Sequence, residues 1–266
     1  MTPAERFDVV AAAAHPDDLE ITCGGTLALL VRQGYRVAVL DLTTGEPTPR
    51  GSEETRAREA EAAARTLGIE FRRMIGLPNR VLMDCPENRV VLATWLRRLR
   101  PTILLGLAGR TPAASPDHYQ AQLLVEASRF YSQLTKWDDR FEGTAPHRIP
   151  HLVYGIFPID AETRVYPGSF VIDISSTFEV KLAAISCYQS QFDTARFEKM
   201  RHFVTGHNVA VGGRCGFAYG EQFAMPVPVA ASDLAALVLG GKGSFAPVVL
   251  PPPPEGPSAP PPPPVE

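Results

Sequence analysis

The sequence lacks any apolar run near the ~20 residues that a membrane-spanning helix needs. The stretch at 9–14 is far too short, and no other approaches that length. The start, MTPAERFDVV, has neither a basic leader region nor a long apolar one, so no signal peptide and a cytoplasmic location are expected. Cysteine is sparse. Cys23, Cys85, Cys187 and Cys215 are scattered, with no C-x-x-C pair, which excludes a zinc ribbon or a thioredoxin-like motif and fits reduced thiols. Basic tracts are absent and the net charge is −3, so neither nucleic acid nor a membrane surface is an expected partner. There is no internal repeat.

What is present is the composition of an ordinary globular protein, 266 residues with 45% hydrophobic, enough for one large domain. Short apolar runs at 7–13, 36–42, 70–77 and 102–107 alternate with amphipathic stretches at 23–33, 52–67 and 87–99. A helix at 116–136 follows, then strands at 151–157 and 169–174. Helices at 175–190 and 194–210 come next, and a short strand or loop at 216–223 ends the series. Strands that alternate with helices of this length predict an α/β domain, with a mostly parallel sheet covered by helices on both faces. The domain is expected to occupy residues 1–245. The remainder, 246–266, carries PPPP and PPPPP and is expected to be a disordered, polyproline II-like tail.

In an open parallel sheet, ligands bind beyond the carboxyl ends of the strands. Three strand exits therefore matter. The first is Ala14-His15-Pro16-Asp17-Asp18, which sets an imidazole and two carboxylates on one tight turn. The second is Thr43-Thr44-Gly45-Glu46, a turn that alone says little. The third is Ser115-Pro116-Asp117-His118. It is also a good helix start, with Ser as cap, Pro at the first position and an acid in the first turn. If His118 points into the same crevice as His15 and Asp18, two His and one Asp suit a metal with open positions. Asp17 would then be free to take a proton from water and return it to a leaving amine. A dinucleotide site is disfavoured, because the first turn lacks G-x-G-x-x-G and its two acids would repel a pyrophosphate.

These residues bear a family likeness. AHPDDLEITCGGTLALL, TTGE and the S-P-D-H helix start resemble the LmbE-like, PIG-L-type N-acetylglucosaminyl deacetylases. The likeness continues through GLPNRVLMDCPENR, FVIDIS, KLAAISCYQSQF and FAYGEQF, covering about residues 7–225. The nearest branch in appearance is the N-acetylglucosaminyl-malate deacetylases of bacillithiol biosynthesis. The resemblance implies a Rossmann-like fold and a small-molecule N-acetylsugar substrate. It implies one Zn2+ per subunit, with Fe2+ also suited to the donor set, and leaves a homo-oligomer open. It makes His15, Asp18 and His118 the metal ligands and Asp17 the general base. It puts Glu46, Arg56 and Asn79 against the sugar, and Tyr219 and Glu221 near the site.

One position departs from the family pattern. Relatives usually read His-Pro-Asp-His at the third loop, where the first His assists the tetrahedral intermediate; here that residue is Ser115. Serine can donate a hydrogen bond but cannot carry positive charge, and loss of an oxyanion donor costs on the order of 10²–10³ in rate. His147, His151, His202 and His207 are the imidazoles that could substitute. The alternative is a metal-containing sugar-binding protein with weak or altered catalysis.

Overall fold

The computed structural model describes residues 6–159 and 168–228. The expected domain end at 245 and the Pro-rich tail at 246–266 lie outside the described residues. The described chain forms a seven-stranded sheet in the order β3-β2-β1-β4-β5-β7-β6. Strands β1 (Val9–Ala13), β2 (Val37–Asp41), β3 (Phe71–Met74), β4 (Ile103–Ala108) and β5 (His151–Ile156) run parallel. Strand β7 (Gly220–Ala224) runs antiparallel between β5 and β6 (Ser169–Asp173). This is the mostly parallel α/β architecture that the alternating pattern predicts.

Both sheet faces are covered, and the period of two in β1 shows how. Val10 and Ala12 pack with Leu92 and Leu96 of α3 (Pro86–Leu99) and with Leu124 and Val125 of α4 (Asp117–Tyr131). Val9, Ala11 and Ala13 face the other way. They pack with Leu19 and Leu27 of α1 (Asp18–Arg32) and with Ala60 and Ala63 of α2 (Glu53–Leu67). A central strand with both faces buried reads as the uninterrupted apolar run VVAAA. Helix α2 starts and stops on ordinary signals. Ser52 accepts from the Thr55 N–H at 3.2 Å, and Gly68 ends the helix at φ 78°, a conformation that costs glycine little.

Helix α1 differs from expectation. It begins at Asp18 rather than at Cys23, and Cys23 interrupts it with φ −137°. The break leaves backbone donors without partners inside the helix. Glu221 of β7 takes them, accepting from Gly25 N–H at 3.0 Å and Thr26 N–H at 2.8 Å. The Glu221 charge is balanced by Lys181 of α5 (Phe178–Ser186) at 2.7 Å, and both side chains are fully buried. An acidic group at interrupted helical N–H donors, paired with a buried ammonium, locks β7 and α5 onto α1.

Candidate metal centre

The strand order reverses between β1 and β4, and the loops leaving those two strands face each other across the switch point. His15, Asp17 and Asp18 leave β1, while Thr111, Ser115 and His118 follow β4. The β2 exit packs against them, with Thr43 N–H donating to the Ala14 carbonyl at 3.0 Å. These loops line a cavity of about 330 Å³ that also meets Thr48, Arg56, Asn79 and Arg80.

His15, Asp18 and His118 each present one ligand atom, all within 4.8 Å of one another. Asp18 Oδ2 lies 3.3 Å from His15 Nδ1, and its Oδ1 lies 3.3 Å from His118 Nε2. Donors bound at ~2.0–2.1 Å to one tetrahedral cation stand roughly 3.3 Å apart, so the spacing fits. The outward nitrogens fit too. His15 Nε2–H donates to the buried Asp117 carboxylate at 3.4 Å. His118 Nδ1–H donates to Thr111 Oγ1 at 2.9 Å, because the Thr111 hydroxyl proton is directed to the Ser115 carbonyl at 3.4 Å. Each imidazole is thereby held with its other nitrogen free to ligate, the arrangement metal-binding histidines use. The His118 ring also stacks on Phe157, centroids 4.6 Å apart.

The electrostatics favour positive charge at this point. Burial alone would lower the His15 pKa, but Asp18, Asp117 and Asp17 reverse that and push it up to about 10. Burial works against ionisation of Asp18, yet His118 and His15 hold its carboxyl well below the usual carboxylate range. A cluster that draws a proton so strongly is one where a cation is stable. The donor set therefore fits one divalent metal.

Asp17 is set apart from the three. It sits at φ 104°, in the left-handed region, at the start of α1. Such strain in a non-glycine residue tends to occur where a side chain must be aimed. Its carboxylate stands 3.5 Å from Arg56 Nη1. Burial raises its pKa to about 7 even though Arg56 pulls the other way. Arg56 is 2% exposed, donates to the Pro16 carbonyl and leaves Nε and Nη1 without hydrogen-bond partners.

The other expected residues divide. Arg56, Asn79 and Ser115 line the cavity, and the Asn79 Oδ1 is buried without a partner. Glu46 does not line it; its carboxylate turns back to accept from Thr48 N–H and Oγ1. Tyr219 lies flat on Phe178, centroids 3.8 Å apart, and Glu221 holds α1, so neither lines the cavity. The closing segment thus supports the fold rather than the pocket. Nor do His147, His151, His202 or His207 line the cavity; His147 binds the Pro101 carbonyl and His202 the Glu198 carbonyl. Sequence reasoning missed Thr111 and gave Asp117 only a helix-start role, though an acid directly before a candidate ligand His was a usable signal.

Comparison with known proteins agrees with this geometry. Residues 10–128 match the family described as PIG-L: GlcNAc-PI de-N-acetylase. The diacetylchitobiose deacetylase of Thermococcus kodakarensis is 27% identical over 223 residues, covering 80% of each chain. The 4-oxalmesaconate hydratase of Pseudomonas putida is 28% identical over 254 residues, 88% of this chain and 94% of that enzyme. Among solved structures, the conserved protein TT1542 from Thermus thermophilus superposes with a TM-score of 0.73 at 33% identity, covering 85% of this chain and 97% of that one.

Proposed function

Because the chain belongs to the PIG-L family, we propose that it is a zinc-dependent deacetylase that hydrolyses the N-acetyl amide of an N-acetylglucosamine conjugate, N-acetylglucosaminyl malate being the substrate to test first. The observation that carries this is the His15, Asp18 and His118 cluster with Asp17 beside it, all lining one cavity. His15 Nδ1, a carboxylate oxygen of Asp18 and His118 Nε2 would hold the metal. When bound, zinc polarises the amide carbonyl and acidifies water.

The rest falls to the chain's own side chains. Asp17 takes the proton from the attacking water and delivers it to the leaving amine nitrogen. Arg56 holds the Asp17 carboxylate in place and favours its ionised form. Asn79 and the unpartnered Arg56 Nε meet sugar hydroxyls. Ser115 offers a hydroxyl where the family resemblance leads one to expect an imidazole, so the intermediate is supported by a neutral donor.

The test is release of free amine from N-acetylglucosaminyl malate by the zinc-loaded chain. Asp17→Asn should keep one equivalent of zinc and lose turnover; retained turnover would remove Asp17 from the role of base. A second reading, hydration of a 4-oxalmesaconate-like tricarboxylate, is favoured by the hydratase relative that this chain covers almost end to end. Consumption of 4-oxalmesaconate without any amine release from the sugar would support it.

A further inference from the structure

Arg80 stands apart from Arg56, which also lines the cavity, and from Arg72 and Arg89. Arg56 is paired with Asp17, Arg72 with Asp41 and Glu20, and Arg89 with Asp84. Arg80 lines the cavity and is exposed, and its guanidinium makes no hydrogen bond or ion pair among the described residues. Its backbone, by contrast, is pinned. The Arg80 N–H donates to Asp117 Oδ2 at 2.6 Å, the same carboxylate that faces His15. The residue is held at φ 67°, in the left-handed region that side chains other than glycine avoid. Strain of this kind persists where the surroundings fix a residue that has a task. The preceding residue, Asn79, lines the same cavity and carries a buried, unpartnered Oδ1. One loop thus offers an acceptor suited to a sugar hydroxyl and, beside it, a free guanidinium.

We propose that Arg80 is a specificity-determining residue that binds a carboxylate carried by the group attached to the N-acetylsugar. A guanidinium gives a carboxylate two parallel N–H donors, a charge-assisted pairing that a neutral aglycone cannot reproduce. The cavity's own carboxylates do not compete, since Asp17 and Asp18 are held by Arg56 and the two imidazoles. This rests on the deacetylase reading and names the substrate class for it.

The experiment compares N-acetylglucosaminyl malate with its dimethyl ester, which has the same skeleton without the charges. For the unaltered chain, kcat/KM for the acid should exceed that for the ester by about 10–100-fold, as expected for hydrogen bonds to a charged group. Arg80→Gln should bring the ratio close to one, mainly through KM for the acid, while Arg80→Lys keeps part of the preference. Zinc stoichiometry and the melting temperature establish that both variants are folded. A ratio unchanged in Arg80→Gln would overturn the proposal. So would an equal fall in kcat for acid and ester, which would give Arg80 a general catalytic role. If the unaltered chain hydrolyses neither compound, the deacetylase reading fails, and calorimetric binding of the two then decides for Arg80. Tighter binding of the acid, lost in Arg80→Gln, supports it; equal binding refutes it.

Discussion

Replacing Thr111 by valine changes one atom that would not itself touch the metal, yet it should weaken metal binding by about 10–100-fold. Thr111 is 7% exposed, and its Oγ1 accepts the His118 Nδ1–H at 2.9 Å. Valine keeps the shape and removes the acceptor. The imidazole can then escape an unsatisfied buried donor by moving its proton to Nε2, where Asp18 Oδ1 waits 3.3 Å away. That tautomer suits the metal-free protein and is wrong for ligation. Binding a cation must reverse the shift at the cost of a buried hydrogen bond, about 1–3 kcal/mol, which is the stated range of affinity. The metal-free protein should lose much less stability than the metal-loaded one. The assay is zinc competition against a chromophoric chelator, with thermal melts of both forms. Thr111→Ser should restore the affinity, since it restores the acceptor. Unchanged zinc affinity in Thr111→Val would refute the reasoning, as would an equal loss in Thr111→Ser.

Other expectations follow from the same contacts. Glu221→Ala removes the partner of buried Lys181 and the acceptor for two α1 donors, and should destabilise the fold by about 3–5 kcal/mol; chemical denaturation giving under ~1 kcal/mol would show that the pair is dispensable. Gly25→Ala would set a Cβ 2.8 Å from Ile174 Cδ1 and 2.9 Å from its Cβ, so a loss of about 1–3 kcal/mol from overpacking is expected in a thermal melt. Arg56 lowers the Asp17 pKa, and a base acts in its unprotonated form. Arg56→Gln should therefore move the acidic limb of the kcat/KM profile to higher pH, and an unmoved or lowered limb would separate Arg56 from the base.

Much of this was legible in the sequence because the sheet is buried on both faces. Runs such as VVAAA and ILLGLA announce central parallel strands, and the residues leaving them fall at the strand ends where ligands bind. His15, Asp18 and His118 could thus be brought together from order alone. The start of α1 was not legible, because Cys23-Gly24-Gly25 reads as a helix start while its donors are satisfied by a residue 196 positions away from Gly25. Tyr219 illustrates the same limit, since nothing near it in sequence indicates that its ring finds Phe178 before it finds the cavity, whereas Glu46 is turned away by Thr48 only two residues on. Thr111 and Asp117 were hidden by ordinary appearance, a loop hydroxyl and a first-turn acid whose roles depend on which imidazole nitrogen they meet.

The most direct test is to run the zinc-loaded chain on N-acetylglucosaminyl malate in 18O-labelled water and weigh the acetate. Hydrolysis at this centre requires one labelled oxygen in each acetate and one free amine for each acetate, with both lost in Asp17→Asn while zinc stays bound. Acetate without label, label undiminished in Asp17→Asn, or no amine at all from a chain holding its zinc would contradict amide hydrolysis by His15, Asp18, His118 and Asp17.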